Sequence, residues 1–221
     1  MMKQLIITSL LAFLSMAAYA QEEFFRDRGG ISLVYGQGIT DDDHFNAMGF
    51  SFVFKGGFSL GLTSQKVNEE VNPQVFIGYL SPYKERKYYS RTSIQLSYMS
   101  SSVVSVVGLN FGLSCIINAT KHFPTSFNGG LSLNHVTYKS SATYYSGYGG
   151  VSVMQDDTDF IPVIAFAINQ AFFANQVLSP FVSLGIGYDL TNNSTVKSFL
   201  FGVNVNFNGK KKVSQPEVIL N

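Results

Sequence analysis

The sequence predicts an all-β protein, a single closed antiparallel barrel that crosses a membrane with ten strands. Eight or twelve strands are the alternatives if one segment is misassigned. Three observations predict this fold. Segments of alternating apolar and polar residues recur along the chain. Charged residues make up 13% of the chain, against about 25% in soluble domains. No window after residue 20 is apolar and long enough for a membrane helix, so any crossing requires strands.

The first twenty residues have the features of a signal peptide. Lys3 gives a positive start, an apolar run follows from Leu5 to Phe13, and Ala18-Tyr19-Ala20 is the small-residue pattern that precedes cleavage. The run is too short for a reliable membrane helix, although an uncleaved anchor is the alternative. We therefore expect export and cleavage after Ala20.

Ten alternating segments follow, most of them near the 9–11 residues that a tilted membrane strand needs. Pro162 should begin its strand, because proline cannot donate a ladder hydrogen bond. The segments are 30–38, 45–54, 58–66, 74–82, 90–99, 104–117, 127–138, 160–171, 180–190 and 195–207.

The two faces of these segments differ in a way that indicates which face meets lipid. In the last segment one face is entirely apolar, and the other carries Gly202, Asn204 and Asn206 beside Leu200. An apolar face turned inward would leave an exterior of Gly, Ser and Asn with few charges. Turned outward, it meets lipid while small polar residues fill the interior. The apolar face consists of Phe199, Phe201, Val203, Val205 and Phe207.

Loop charges support the same topology. An even strand number puts both termini in the periplasm, and the longest connection, 139–159, then lies outside the cell, where long loops are expected. Acidic residues concentrate in the connections on that side, and basic residues concentrate in the turns on the other. The predicted outer connections are 39–44, 67–73, 100–103, 139–159 and 191–194. We predict that the protein is located in the bacterial outer membrane.

The chain resembles the small outer-membrane β-barrels of the porin-like and opacity-protein-like superfamily. Gly202, Val203, Val205 and Phe207 fit the final-strand insertion signal of that family. Leu200 departs from the polar residue often found there, and fourteen residues follow Phe207. The resemblance implies insertion by the barrel-assembly machinery into outer-membrane lipid and lipopolysaccharide.

The resulting domain organisation has four parts. Residues 1–20 form the signal peptide, 21–29 a periplasmic N-terminal segment, 30–207 the outer-membrane barrel, and 208–221 a flexible periplasmic tail. A recognition role for the tail is the alternative to plain disorder.

Catalytic chemistry has little support in the sequence. The histidines His44, His122 and His135 fall on three different elements. Outer aspartates beside His44 resemble the omptin-type barrel proteases only superficially, because they form one short loop. His135-Val136-Thr137 has Thr where barrel lipid A deacylases have Ser. We expect no catalytic residues, no metal and no cofactor. We also predict no nucleic-acid binding, because the basic residues cluster on the periplasmic turns without interleaved aromatic residues.

Two functions remain as hypotheses. The first is a structural or surface-interaction barrel that uses its outer loops, since Tyr with Gly and Ser is the composition of recognition loops. The acidic residues could instead attract cations or simply be solvated. The tyrosines could instead fold back to the headgroups. The candidate contact residues are Asp41, Asp42, Asp43, Tyr144, Tyr145, Tyr148, Asp156 and Asp157.

The second hypothesis is a narrow, weakly cation-preferring pore for small solutes. Its expected lining is the inward polar residues Asn110, Asn134, Asp189 and Asn204. Ten strands lined by small residues could leave a wet passage, whereas small barrels often fill the lumen with side chains. The alternation pattern alone does not distinguish these cases.

Overall fold

A computed structural model describes most of the 221-residue chain. The described residues are 24, 29–40, 44–67, 70–82, 86–101, 104–118, 122–146, 149–174 and 176–207. Of these, the side chains of 67, 70, 140–146 and 149–156 are not described. The predicted signal peptide and the C-terminal tail lie outside the described residues.

Ten antiparallel strands close into one barrel in which each strand pairs with its neighbours in sequence and β1 pairs with β10. The predicted fold class and strand number are confirmed. The strands are β1 (Gly30–Ile39), β2 (His44–Val53), β3 (Phe58–Val67), β4 (Glu70–Leu80), β5 (Tyr88–Ser100), β6 (Val104–Ile117), β7 (Thr125–Ser146), β8 (Gly149–Ala171), β9 (Leu178–Asp189) and β10 (Ser194–Asn206).

The barrel has two distinct ends. One end carries the connection between β7 and β8, and we call it the hairpin end. The other carries the first residue of β1 and the last residue of β10, and we call it the terminal end. The described ranges hold no helix with the length and apolar character needed to cross a membrane.

The expectation of a long loop at 139–159 is wrong. β7 and β8 continue as a paired hairpin to Ser146 and Gly149, far beyond the strands that flank them. The same holds on a smaller scale for 67–73, where β4 already begins at Glu70. In both places the backbone remains paired across strands through segments whose polar composition is typical of loops.

The expectation that Pro162 begins its strand is also wrong, because Pro162 lies well inside β8. Its carbonyl accepts a hydrogen bond from the Leu190 amide (3.0 Å) just beyond Val163, where pairing with β9 starts. The N and C=O of one residue point to the same side of a strand, so the nitrogen of Pro162 also faces β9. The regular pairing of β8 with β9 starts only at the next residue, so the N–H that Pro162 lacks is not needed there. Pro180 is placed in the same way, one residue beyond the β8–β9 ladder.

The outer surface carries the apolar face of every strand, as predicted. Half-exposed Phe, Leu, Ile, Val and Tyr side chains cover it. Aromatic residues mark both edges of this apolar belt, as at membrane interfaces. At the terminal end they are Phe54, Phe58, Tyr79, Tyr88, Phe123, Phe127, Phe173 and Phe207, and at the hairpin end Tyr35, Tyr98, Phe160 and Tyr188.

The height of the belt follows from β5, whose two edge aromatics are Tyr88 and Tyr98. Ten residues at about 3.3 Å each span roughly 33 Å along the strand, or about 25 Å along the axis of a barrel with a 40° tilt. That height matches the apolar band of outer-membrane barrels.

The interior is packed with the opposite face of each strand. Small and amide side chains dominate it, and large inward rings lie over glycines on adjacent strands. The Phe76 ring contacts the Gly61 position, and the Phe181 ring contacts the Gly202 position. A Cβ at either glycine would occupy the space of the ring, so these glycines allow the inward rings to lie against the wall.

Candidate functional site

The middle of the lumen contains a hydrogen-bonded network of polar side chains on β5, β6 and β7. Asn110 Nδ2 lies 3.5 Å from both Gln95 Oε1 and Ser97 Oγ. Ser132 donates to Asn110 Oδ1, and Asn134 Nδ2 donates to the Ile161 carbonyl at 3.0 Å. Ser132 Oγ also lies 3.1 Å from Asn134 Oδ1, so its one hydroxyl proton is shared between two amide oxygens and links two predicted lining residues, Asn110 and Asn134.

The other two predicted lining residues lie apart from this network. Asp189 ends β9 at the hairpin end, where its carboxylate accepts hydrogen bonds from the Thr191 amide (2.8 Å) and from Asn192 N (3.1 Å) and Nδ2 (2.8 Å). Its acceptor capacity is therefore largely used by the β9–β10 turn. Asn204 lies near the terminal end of β10, opposite Ser179 and Ser32.

These four side chains have almost no contact with solvent. Asn110, Asn134, Asp189 and Asn204 are 0%, 2%, 1% and 1% exposed. An open aqueous passage would leave its lining residues accessible to water. The lumen is filled where these residues lie.

An apolar cluster fills the lumen at the hairpin end, beyond the polar network. Its members come from β5, β6, β7 and β8, and each is at most 9% exposed. These side chains pack against one another inside the barrel along this run of four adjacent strands. The cluster consists of Met99, Val104, Val106, Val136, Tyr138, Ile161 and Val163.

A second apolar cluster occupies the terminal end and includes a residue that precedes the first strand. Phe24 is 4% exposed and packs in a cluster with Ala171, Ala174 and Phe181, with Val34 beside it. Sequence reasoning missed this residue because one phenylalanine outside the alternating segments carries no pattern. Phe24 therefore helps to fill the lumen at this end.

The ribbon formed by β7 and β8 is the largest feature outside the barrel wall. The last residue of β7 paired to β6 is Tyr138, and the β8–β9 ladder begins only at Val163. From Lys139–Asp156 to Ser146–Gly149, eight pairs join β7 and β8 only to each other. Eight residues at about 3.4 Å each project roughly 27 Å.

The predicted contact residues are distributed unevenly over this end. Tyr144, Tyr145 and Asp156 lie in the ribbon strands, and Asp157 is exposed at the base of the ribbon. Asp41, Asp42, Asp43 and Tyr148 lie outside the described residues.

Titratable groups do not converge on a catalytic or metal site in the part of the chain that the structure describes. Within the described ranges no group of three or more His, Cys, Asp or Glu side chains could hold a metal. His44, His122 and His135 are each exposed, and they lie at the start of β2, in the β6–β7 connection and on the outer face of β7.

Fold and surface together define a class. A closed ten-stranded antiparallel barrel with an apolar exterior, two aromatic edges and a polar, packed interior is a small outer-membrane β-barrel.

Solved structures similar to this chain are outer-membrane barrels. The KdgM porin is 15% identical, with 80% of this chain and 99% of that chain covered and a TM-score of 0.42. The translocator domain of the autotransporter NalP from Neisseria meningitidis is 12% identical, with 93% and 98% covered and a TM-score of 0.48. Ail, the attachment invasion locus protein of Yersinia pestis, is 8% identical, with 81% and 97% covered and a TM-score of 0.33.

No protein-family model matches the chain, and no curated protein matches it in sequence. The similar structures include porins, an attachment protein, the translocator domain of one autotransporter and the beta domain of another.

Proposed function

We propose that this protein is a non-enzymatic outer-membrane barrel with a closed lumen, and that the β7–β8 ribbon is its contact with a partner at the cell surface. The observation that carries the proposal is the ribbon itself, eight residue pairs that bond to no other strand. A ribbon of about 27 Å is not needed to close the barrel or to cover the apolar belt.

The packing of the lumen supports a barrel without a pore. Polar side chains at mid-height are almost fully buried, and buried apolar clusters pack inside the barrel toward both ends. Small barrels of this kind fill their interior with side chains. The cation-preferring pore remains the alternative, and it requires water to reach Asn110 and Asn134.

The composition of the ribbon indicates the kind of contact it could make. Tyr144 and Tyr145 lie among Ser and Gly residues, a combination that gives rigid amphipathic contact area on an adaptable backbone. Asp157 and Asp159 are exposed at its base. A protein or glycan surface would complement the ribbon if it could pack against tyrosine rings and carried positive charge near the aspartates.

Planar-bilayer recording of the full-length barrel tests whether the lumen is closed. We expect a properly inserted, heat-modifiable protein to give no reproducible conductance steps. Reproducible cation-preferring steps would make the pore the better hypothesis, and Asp189→Lys should then change the ion selectivity.

Photo-crosslinking on intact cells tests the ribbon. A photoreactive amino acid at Tyr145 should give adducts of discrete mass, whereas the same group at Leu190, an exposed residue in the β9–β10 turn at the same end, should not. Identical adducts from both positions, or none from Tyr145, would contradict a specific contact by the ribbon.

A further inference from the structure

The outer surface near the base of the ribbon carries a cluster of polar side chains that neither the barrel wall nor the ribbon contact requires. Lys139 Nζ donates to Ser100 Oγ and to the Ser101 carbonyl, both at 2.9 Å. Ser100 Oγ and Ser105 Oγ are 3.3 Å apart, and the Tyr98 side chain lies beside both serines. We call Tyr98, Ser100, Ser105 and Lys139 the rim cluster.

The rim cluster holds an ammonium group in a defined place. A lysine ammonium has three donors, and the two hydrogen bonds to Ser100 and Ser101 leave one N–H. Lys139 is exposed, and so is Tyr98. No carboxylate whose side chain the structure describes forms an ion pair with Lys139; Asp156, its backbone partner in the ladder, is not among these side chains. A fixed cation beside three hydroxyl groups is suited to a phosphate group.

The surface directly toward the terminal end of the rim cluster is apolar on β5 and β6, where Leu96 and Val107 are 48% and 46% exposed. On β7 the exposed His135 lies opposite Val107, and Leu131 adds to the apolar surface farther toward the terminal end. Tyr98 belongs to the aromatic edge of the belt, where headgroups of a surrounding membrane would lie. The cationic and hydroxyl groups of the rim cluster match the phosphate group of a lipid, and the exposed hydrocarbon side chains below them match its acyl chains. A soluble anion would contact only the rim cluster.

We propose that the rim cluster binds the phosphate group of a lipid in the membrane leaflet at the hairpin end, while the acyl chains of that lipid lie against Leu96, Val107 and Leu131. The inference requires the barrel to lie in a membrane, but it does not require the ribbon to bind a partner. Failure of the ribbon contact would therefore leave this proposal untouched.

Native mass spectrometry of the full-length protein in detergent tests the proposal, with diphosphoryl lipid A as the probe and the same lipid without phosphates as its control. Lys139→Gln removes the charge but can keep hydrogen bonds to the serines. We expect about ten-fold less lipid A retained by this variant, the effect of losing one hydrogen bond from an ammonium group to a phosphate oxygen. The phosphate-free lipid should be retained equally by both proteins.

Lys197→Gln is the matched control, because Lys197 is also exposed on the outer surface near the hairpin end, on β10. It should retain as much lipid A as the unchanged protein, and Asp156→Asn should retain at least as much. Equal losses for Lys139→Gln and Lys197→Gln, or no loss for either, would overturn the proposal. Displacement of lipid A by millimolar inorganic phosphate would show a site for soluble anions and would also overturn it.

Discussion

At the scale of single residues, Asp189 shows how an inward-facing acid can serve the fold. The alternation of β9 predicts that its side chain points inward, which suggested a pore residue. In the structure the carboxylate accepts three hydrogen bonds from Thr191 and Asn192 and closes the β9–β10 turn. Such a role depends on turn geometry, which strand periodicity does not encode.

Substitution of Asp189 tests this role. Asp189→Ala removes all three acceptor contacts, and we expect it to lower the free energy of unfolding by about 1–3 kcal/mol. Asp189→Asn keeps one carbonyl oxygen for the turn amides, so its loss should be smaller. Because the chain has no Trp, the unfolding midpoint in urea is best read from the heat-modifiable gel mobility. An equal decrease in the free energy of unfolding in both variants would mean that the negative charge of Asp189 stabilises the barrel, and not its hydrogen bonds to the turn.

Gly61 illustrates a second effect at this scale, the close approach of an inward ring to the wall. The Phe76 ring occupies the place of a side chain at Gly61. We expect Gly61→Ala to destabilise the barrel by about 1–3 kcal/mol, the usual effect of overpacking.

Gly129→Ala is the control for that substitution. A Cβ at Gly129 would meet the Phe166 ring at an ordinary 3.5 Å. The unfolding midpoint of this variant in urea should stay close to that of the unchanged protein. A Cβ at Gly61 would also lie 2.6 Å from the Phe50 carbonyl oxygen. A Gly61→Ala barrel as stable as Gly129→Ala would therefore mean that both the Phe76 ring and the Phe50 backbone move without cost.

At the scale of elements, the ribbon accounts for the main difference between expectation and structure. Residues 139–159 are rich in Ser, Tyr, Gly and Asp, which are typical of loops. Their backbones nevertheless pair along the whole hairpin, with Val151 opposite Tyr144 and Val153 opposite Ala142. The sequence of the ribbon has polar residues at both odd and even positions, which suits a hairpin outside the membrane. The same pattern hides its strands from a search for one apolar face.

Excision of the ribbon should leave the barrel intact. Deleting 141–154 and joining Ser140 to Gln155 through Asn-Gly would close the hairpin with a two-residue turn. Because the removed pairs bond only to each other, we expect the urea midpoint of the barrel to be unchanged. A large loss of stability would show that the ribbon folds back onto the barrel mouth.

At the scale of the whole molecule, the distribution of polarity is the reverse of that in a soluble barrel. Phe, Leu and Val side chains are exposed around the belt, while Gln95, Asn110 and Asn169 are at most 1% exposed in the interior. Lipid stabilises the outer face, and hydrogen bonds between side chains stabilise part of the inner one.

The belt height predicts how stability depends on the membrane. An apolar band of about 25 Å is shorter than a typical 30 Å hydrocarbon core. We therefore expect the unfolding midpoint to be highest in short-chain lipids whose hydrocarbon thickness is near 25 Å, and to fall in thicker bilayers because of hydrophobic mismatch. The ribbonless variant should show the same dependence, since its belt is unchanged. No dependence on thickness would contradict the assigned belt.

The sequence by itself determined the fold class and which face of each strand is outermost, and it favoured ten strands over eight or twelve. Alternation carries that information directly, because a strand places successive side chains on opposite faces and a membrane barrel needs one apolar face. Weak charge and the order of the segments then sufficed to place the ten strands around one barrel.

Only the tertiary structure decided how the lumen is filled and how far the hairpin projects. The burial of Phe24, the linkage of Asn110 to Asn134 through Ser132, and the position of Lys139 over Ser100 all join residues from different strands or from outside them. Such contacts depend on register and on the width of the closed barrel, since neighbours across strands are far apart in sequence. Periodicity along one strand does not carry that information.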